Sequence, residues 1–263
     1  MLVYLTFTYM LHTFRHPALL FTFVFLTFLV SVKAQDKVTF LAEDKLMISA
    51  DVYMNGDSKN NDTLPYMILC HDVKSSRGEY KDLAHRFTKL GYNCIAIDMR
   101  IGGPKNGVDN ETVSLAQAKH LKVKLLDPIT DIQAAINYCY NKNHKKVVLV
   151  GSGYSASLTL YIGSTNTKVA TVLAFSPSEY FAGLLDTKTA FPKCSIPVFV
   201  ASSVAEADAT KKYVAAIPAS KVTLFVPSTA GAHGTDALLN ATPDHHDYWL
   251  SILMYIRGLQ GGS

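Results

Sequence analysis

The chain is poor in several features that would announce a function. Only 17% of its 263 residues are charged, and 25 Lys and Arg face 21 Asp and Glu. The basic side chains are scattered, with only short pairs such as Lys145-Lys146 and Lys211-Lys212. No basic stripe is present to neutralise a phosphate backbone, which argues against nucleic acid as a partner. The four cysteines form no C-x-x-C pair and show no metal-ligand spacing, so neither a zinc knuckle nor a dithiol redox motif is indicated. There is no internal repeat and no low-complexity tract. The glycines of "IGGPKNG" lack the following Lys-Ser/Thr of a phosphate loop, and they read as the rim of a pocket.

Long apolar runs are confined to the start. Residues 1–34 carry two formal charges, Arg15 and Lys33, and "ALLFTFVFLTFLVSV" (18–32) follows Arg15 and His16. The run closes on "SVKAQ", with Val32 and Ala34 at the −3 and −1 places of a cleavage site. This predicts a secretory signal cut before Gln35, hence a secreted or periplasmic protein. The competing expectation is a retained membrane anchor, because residues 1–11 are also apolar, although residues 17–32 fall short of the ~20 that span a bilayer. Removal of 1–34 leaves 229 residues with 23 basic and 21 acidic side chains, a net of +2. That length suits one well-buried α/β domain. Export permits disulfides, but Cys70 and Cys94 sit in apolar runs. Cys70, Cys94, Cys139 and Cys194 are expected as small buried thiols. Sequons stand at Asn61, Asn110 and Asn240.

The remainder alternates strand-like and helix-like segments. "KVTFLA" and "LMISADVYM" are separated by Glu43-Asp44-Lys45 and predict a hairpin. "PYMILCH" is a short buried-strand run. In "SSRGEYKDLAHRFTKLGY", Ser76 with Glu79 fits a capping box, Leu83, Phe87 and Leu90 recur at helical spacing, and Gly91 ends the helix. "NCIAIDMR", "KKVVLV", "KVATVLAFS", "IPVFVAS" and "KVTLFVP" follow as strands. Helices are expected from Asp127-Pro128, over "YSASLTLYIG", over "EADATKKYVAAI", and over the closing "DHHDYWLSILMYIRGL". Continuous apolar strands alternating with helices argue for a mostly parallel, doubly wound sheet covered on both faces. Sites of such sheets lie at the carboxyl ends of the strands.

Three strand ends carry candidate chemistry. The turn after Val150 lies in "VVLVGSGYSASL". Glu206 follows the strand "PVFVAS", and His233 sits between glycines in "GAHGTDAL" after the last strand. The order nucleophile, acid, histidine is the one used by α/β-hydrolases. From residue 35 nearly to its end, the chain resembles a small α/β-hydrolase of the dienelactone-hydrolase-like or serine-esterase type. "LCHDVKSSRGEY" is similar to the oxyanion loop, "YNCIAIDMRIGG" to the next strand and turn, and "GSGYSASL" to the nucleophile elbow. "FSPSEYF" and "GAHGTDAL" are similar to the later strand end and the histidine loop. The resemblance implies that fold without a large cap domain, with the connection from Pro177 to Ile196 as a small lid. It also implies a carboxylic-ester hydrolase needing no metal or organic cofactor. His233 would be the base and Glu206 its orienter, with Glu179 a competing acid. The backbone N–H groups of Val73 and Tyr154 would hold the oxyanion.

The register of the elbow raises a conflict. Val147 to Val150 are the strand, Gly151 the first small residue and Ser152 the free position, so the nucleophile place falls on Gly153. Glycine has no side chain with which to attack a carbonyl. Ser155 also satisfies small-x-Ser-x-small in "GYSAS", and Ser152 would serve if the turn slipped by one. Two functions therefore stand open: an ester hydrolase acting through Ser155, His233 and Glu206, and a catalytically silent binding or scaffold protein on the same fold. Asp72 replaces a glycine found at that place in many relatives, and its carboxylate is expected to point away from the oxyanion site. His245, His246 and Asp247 read as a polar helix start, because adjacent histidines on a helix diverge by about 100 degrees. Trp249 reads as a packing residue.

Overall fold

The computed structural model describes residues 35–56, 59 and 61–261. The signal or anchor expected over 1–34 lies outside the described residues. The described residues build an eight-stranded sheet in the order β1-β2-β4-β3-β5-β6-β7-β8. β1 (Asp36–Leu41) and β2 (Met47–Tyr53) form the expected antiparallel hairpin, with Asp36 opposite Val52 and Leu41 opposite Met47. β2 then pairs antiparallel with β4 (Asn93–Ile97). From β4 onward the neighbours are parallel: β3 (Tyr66–Cys70), β5 (Val147–Ser152), β6 (Val169–Phe175), β7 (Val198–Ala201) and β8 (Val222–Phe225).

Strand side chains alternate between two cores. Ile95, Ile97, Val147 and Leu149 face one, and Cys94, Ala96, Val148 and Val150 the other. This period-two division is why the central strands read as unbroken apolar runs. α1 (Ala84–Thr88) packs into the second core through Ala84 and Phe87. α2 (Glu111–Ala118), α3 (Pro128–Asn143) and α4 (Tyr154–Thr165) cover the first. α5 (Thr187–Ala190) and α6 (Ala207–Val214) add Ala190, Tyr213 and Val214 to that face. α7 (His245–Gly261) returns to the second face with Tyr248, Trp249, Ile252 and Ile256. Among the described residues no helix is long and apolar enough to cross a membrane.

One local expectation, the capping box at Ser76, is corrected. α2 forms over residues to which the sequence reading assigns no element; the Asn110 side chain accepts the Val113 N–H at 2.9 Å and caps it. Ser76 caps only a short 3-10 turn, accepting from Gly78 N at 3.2 Å, while Glu79 turns away from the capping box toward the site. The connection between Pro177 and Ile196 is pinned to the core by buried Phe181 and Phe191, the former meeting the Tyr154 ring at 5.0 Å. All four cysteines are free and buried.

Candidate active site

β5 leads directly into α4 through one residue, Gly153, with φ 50° and ψ −111°. That positive φ strains any L side chain and is open to glycine. The turn is tied down by the Gly153 N–H, which donates to Phe175 O at 2.8 Å. Two residues earlier, a Cβ on Gly151 would lie 2.6 Å from the Ala156 Cα, so strand and helix cross where only glycine fits. Of the three registers the sequence left open, the bend falls at Gly153, between the end of β5 at Ser152 and the start of α4 at Tyr154. A Cβ built on Gly153 would stand 2.7 Å from His233 Nε2. The residue facing the imidazole thus contributes a bare α-carbon.

The structure brings His233 and Glu206 together from the loops after β8 and β7. The imidazole donates from Nδ1 to Glu206 Oε1 at 2.5 Å. Glu206 Oε2 accepts from Ser203 Oγ at 2.7 Å and from Ser176 Oγ at 2.8 Å. Ser176 holds a left-handed backbone, φ 55°, and its Oγ also accepts the Gly234 N–H at 2.9 Å. One hydroxyl thus ties the acid to the histidine loop. Burial would raise Glu206, but bonds to His233, Ser203 and Ser176 override it and hold the carboxyl at about 2.

Asp72 does not point away. Its Oδ1 accepts the backbone N–H of Val73 at 2.7 Å and of Tyr154 at 2.9 Å, and its Oδ2 lies 3.5 Å from His233 Nε2. The two amides expected to hold a reaction oxyanion are thus occupied by the chain's own carboxylate. The inward position is stable because the charge meets two donors and a cation, which compensates its desolvation. Burial raises the Asp72 pKa, but His233 and the two amides lower it by more, so the group stays ionised. Asp72 and Glu206 together push His233 up to about 10, against the opposing effect of burial. Glu206 is the closer partner by 1.0 Å, at 2.5 against 3.5 Å.

The structure does not bring the candidate serines to His233. Ser155 is fully buried; its Oγ donates to Cys70 O at 2.7 Å and accepts the Ser152 N–H at 2.9 Å. Ser152 Oγ accepts the Thr235 N–H at 3.0 Å. Glu179 is exposed and lines a separate depression with Leu184 and Asp186. Sequence reasoning missed Ser176, Ser203 and Glu79. Glu79 accepts from the Asp72 N–H at 2.9 Å and from Thr235 Oγ1 at 2.5 Å, which locks the two loops together. Asp72, Lys74, Lys105, Ser152 and His233 line a cleft of about 100 Å³. A larger depression of about 490 Å³ between β8 and α7 is lined by no acid, histidine or cysteine. Among the described residues no cluster of three His, Cys, Asp or Glu is disposed to hold a metal ion.

A mostly parallel sheet, whose acid and histidine loops converge on the turn after β5, defines an α/β-hydrolase. Residues 51–232 match the dienelactone hydrolase family, and the chain belongs to it. Among solved structures it is similar to an esterase of Pyrococcus furiosus, with 17% identity and a TM-score of 0.59, covering 84% of this chain and 92% of that one. It is also similar to a protein of Klebsiella pneumoniae assigned as a dienelactone hydrolase, with 14% identity and a TM-score of 0.63, covering 85% and 98%. The acylaminoacyl peptidase of Pyrococcus horikoshii shares 12% identity with a TM-score of 0.62 over 85% of this chain and 41% of that one. At these identities the likeness concerns the fold. No curated protein matches the chain.

Proposed function

We propose that this member of the dienelactone hydrolase family does not cleave esters through a serine acyl-enzyme, and that it is a catalytically silent binding or scaffold protein on the hydrolase fold. The observation that carries this reading is the bare Gly153 α-carbon opposite His233. Two further features support it. Acyl transfer needs free oxyanion donors, and here Asp72 takes both amides. It also needs an unprotonated base, and a histidine with a pKa of about 10 carries its proton at neutral pH. Neither nucleic acid, metal nor organic cofactor belongs to this reading.

The retained His233–Glu206 pair, at 2.5 Å, favours a second reading. In that reading the protein is a carboxylic-ester hydrolase in which the pair activates Ser155 after rearrangement, or activates water directly. A fluorophosphonate probe and short p-nitrophenyl esters decide between the two. The proposed function expects neither labelling nor cleavage. Labelling that vanishes in Ser155→Ala establishes the serine esterase, and ester cleavage without labelling establishes the water route. We also propose export, with 1–34 removed; amino-terminal sequencing of the released protein should begin at Gln35, and an intact amino terminus in the membrane fraction establishes the anchor.

A further inference from the structure

The site contains an arrangement that the emptied turn alone does not require. Two backbone N–H groups from different segments, Val73 and Tyr154, converge on a single oxygen at 2.7 and 2.9 Å. The second oxygen of the same carboxylate faces the imidazolium at 3.5 Å. Two amides on one oxygen and a cation near the other make a receptor for a carboxylate, and the group received is Asp72. Steric exclusion makes the arrangement all-or-none. A Cβ on Gly153 would lie 2.7 Å from Asp72 Oδ1 and 2.8 Å from its Cγ, so the seat accommodates either a side chain from position 153 or the Asp72 carboxylate. Charge points the same way. Glu206 already neutralises His233 from the Nδ1 side, so with Asp72 in place the three groups sum to one negative charge and repel a second anion. Without Asp72 they sum to zero; of the other charged residues lining the cleft, Lys74 and Lys105 are matched by Glu79 and Asp236, with Lys105 Nζ 3.7 Å from Asp236 Oδ1.

We propose that the Val73–Tyr154–His233 cradle is a binding site for small monocarboxylates and that Asp72 is its tethered occupant, an internal contact that closes the site to free ligands. Removing the side chain opens the cradle; neutralising it without changing its shape does not, because an amide oxygen still fills the seat and still accepts from both N–H groups. The inference rests on the reading that no serine uses this cradle for catalysis, but it is tested without any turnover.

The test is titration of the whole protein with sodium acetate, read by the ring resonances of His233 and by calorimetry, at constant ionic strength. Chloride at equal concentration serves as the comparison anion. Wild type and Asp72→Asn should show no saturable binding. Asp72→Ala should bind acetate saturably, at least about tenfold more tightly than wild type, with a shift of the His233 resonances that chloride does not reproduce. Asp72→Gly provides a second open variant should the first fail to fold, with folding checked by circular dichroism. A folded open variant that binds acetate no better than wild type overturns the proposal. So does acetate binding that leaves His233 unmoved, or Asp72→Asn binding as well as Asp72→Ala. Serine labelling of the wild type, measured separately, would overturn the proposed function while leaving these affinities as measured.

Discussion

At the scale of the residue, the chemistry turns on Gly153, Asp72 and His233. His233 has an ordinary value of 6.5 and stands at about 10 in the fold. A raised folded value contributes stability that is complete below 6.5 and is lost as pH rises through about 10. Glu206 behaves oppositely: lowered from 4.5 to about 2, it contributes above 4.5 and loses that contribution as pH falls toward about 2. Stability should therefore be flat from about pH 5 to 6.5 and fall gradually toward pH 10, an effect kept modest by the partly exposed ring. Thermal melts across that range, together with the His233 ring resonances, measure it; an imidazole that titrates near 6.5 would refute the double ion pair. A second expectation concerns repair. Gly153→Ser alone should stay nearly inactive, because its Cβ would crowd Asp72 Oδ1 and His233 Nε2 at 2.7 Å and the tethered Asp72 carboxylate competes with the new side chain for the seat and for the oxyanion amides. Combined with Asp72→Gly, the same change should allow fluorophosphonate labelling. Since one oxyanion donor is worth about 10²–10³ in rate, ester cleavage by the double variant should exceed that of the single by at least about 100-fold.

At the scale of the element, the crossing of β5 and α4 and the clamp around Arg77 hold the site loops in place. A methyl on Gly151 would meet Ala156 N at 2.7 Å and Thr159 Oγ1 at 2.5 Å. The obstruction is partly backbone and cannot rotate aside, so Gly151→Ala should cost about 1–3 kcal/mol by urea unfolding. Arg77 follows the oxyanion loop and reaches three acids on other segments. Its Nε lies 3.1 Å from Asp51 Oδ1, its Nη2 donates to Glu111 Oε1 at 2.9 Å, and its Nη1 bonds Asp98. Asp51, Asp98 and Arg77 are buried, so Arg77→Ala strands two carboxylates and should cost about 3–5 kcal/mol; an unchanged urea midpoint would show that the clamp is dispensable. Strand order along the chain and the major helices were legible because apolar periodicity reports burial directly. α2 was not, since its eight residues bury only Thr112 and Ala116 and depend on the Asn110 cap. The capping box at Ser76 failed for a tertiary reason. Glu79 finds Asp72 N and Thr235 Oγ1 instead, partners 7 and 156 residues away.

At the scale of the whole molecule, two cores flank one sheet, and the thiols are divided between them: Cys70 and Cys139 in one with Cys194, and Cys94 in the other. Burial pushes the Cys70, Cys94 and Cys139 thiols well above their ordinary value. A thiol reagent should leave the native protein largely unmodified and find four groups after unfolding; a lower count in denaturant would reveal a bridge. The sequence by itself determined the alternation of strands and helices and confined the sharp bend after β5 to Ser152, Gly153 or Ser155. Both follow from interactions between near neighbours: apolar period, and the steric demand of a positive φ where β5 meets α4. It also placed Glu206 and His233 at the ends of β7 and β8, since parallel strands deliver their following loops to one edge. Only the tertiary structure decided that Asp72 turns inward and that Ser155 does not meet the imidazole. The direction of each of these side chains is set in part by partners far away in the sequence. Asp72 is held by groups at 73, 154 and 233, and Ser155 is held by the carbonyl of Cys70. These segments become adjacent only once the sheet has brought the ends of β3, β5 and β8 together.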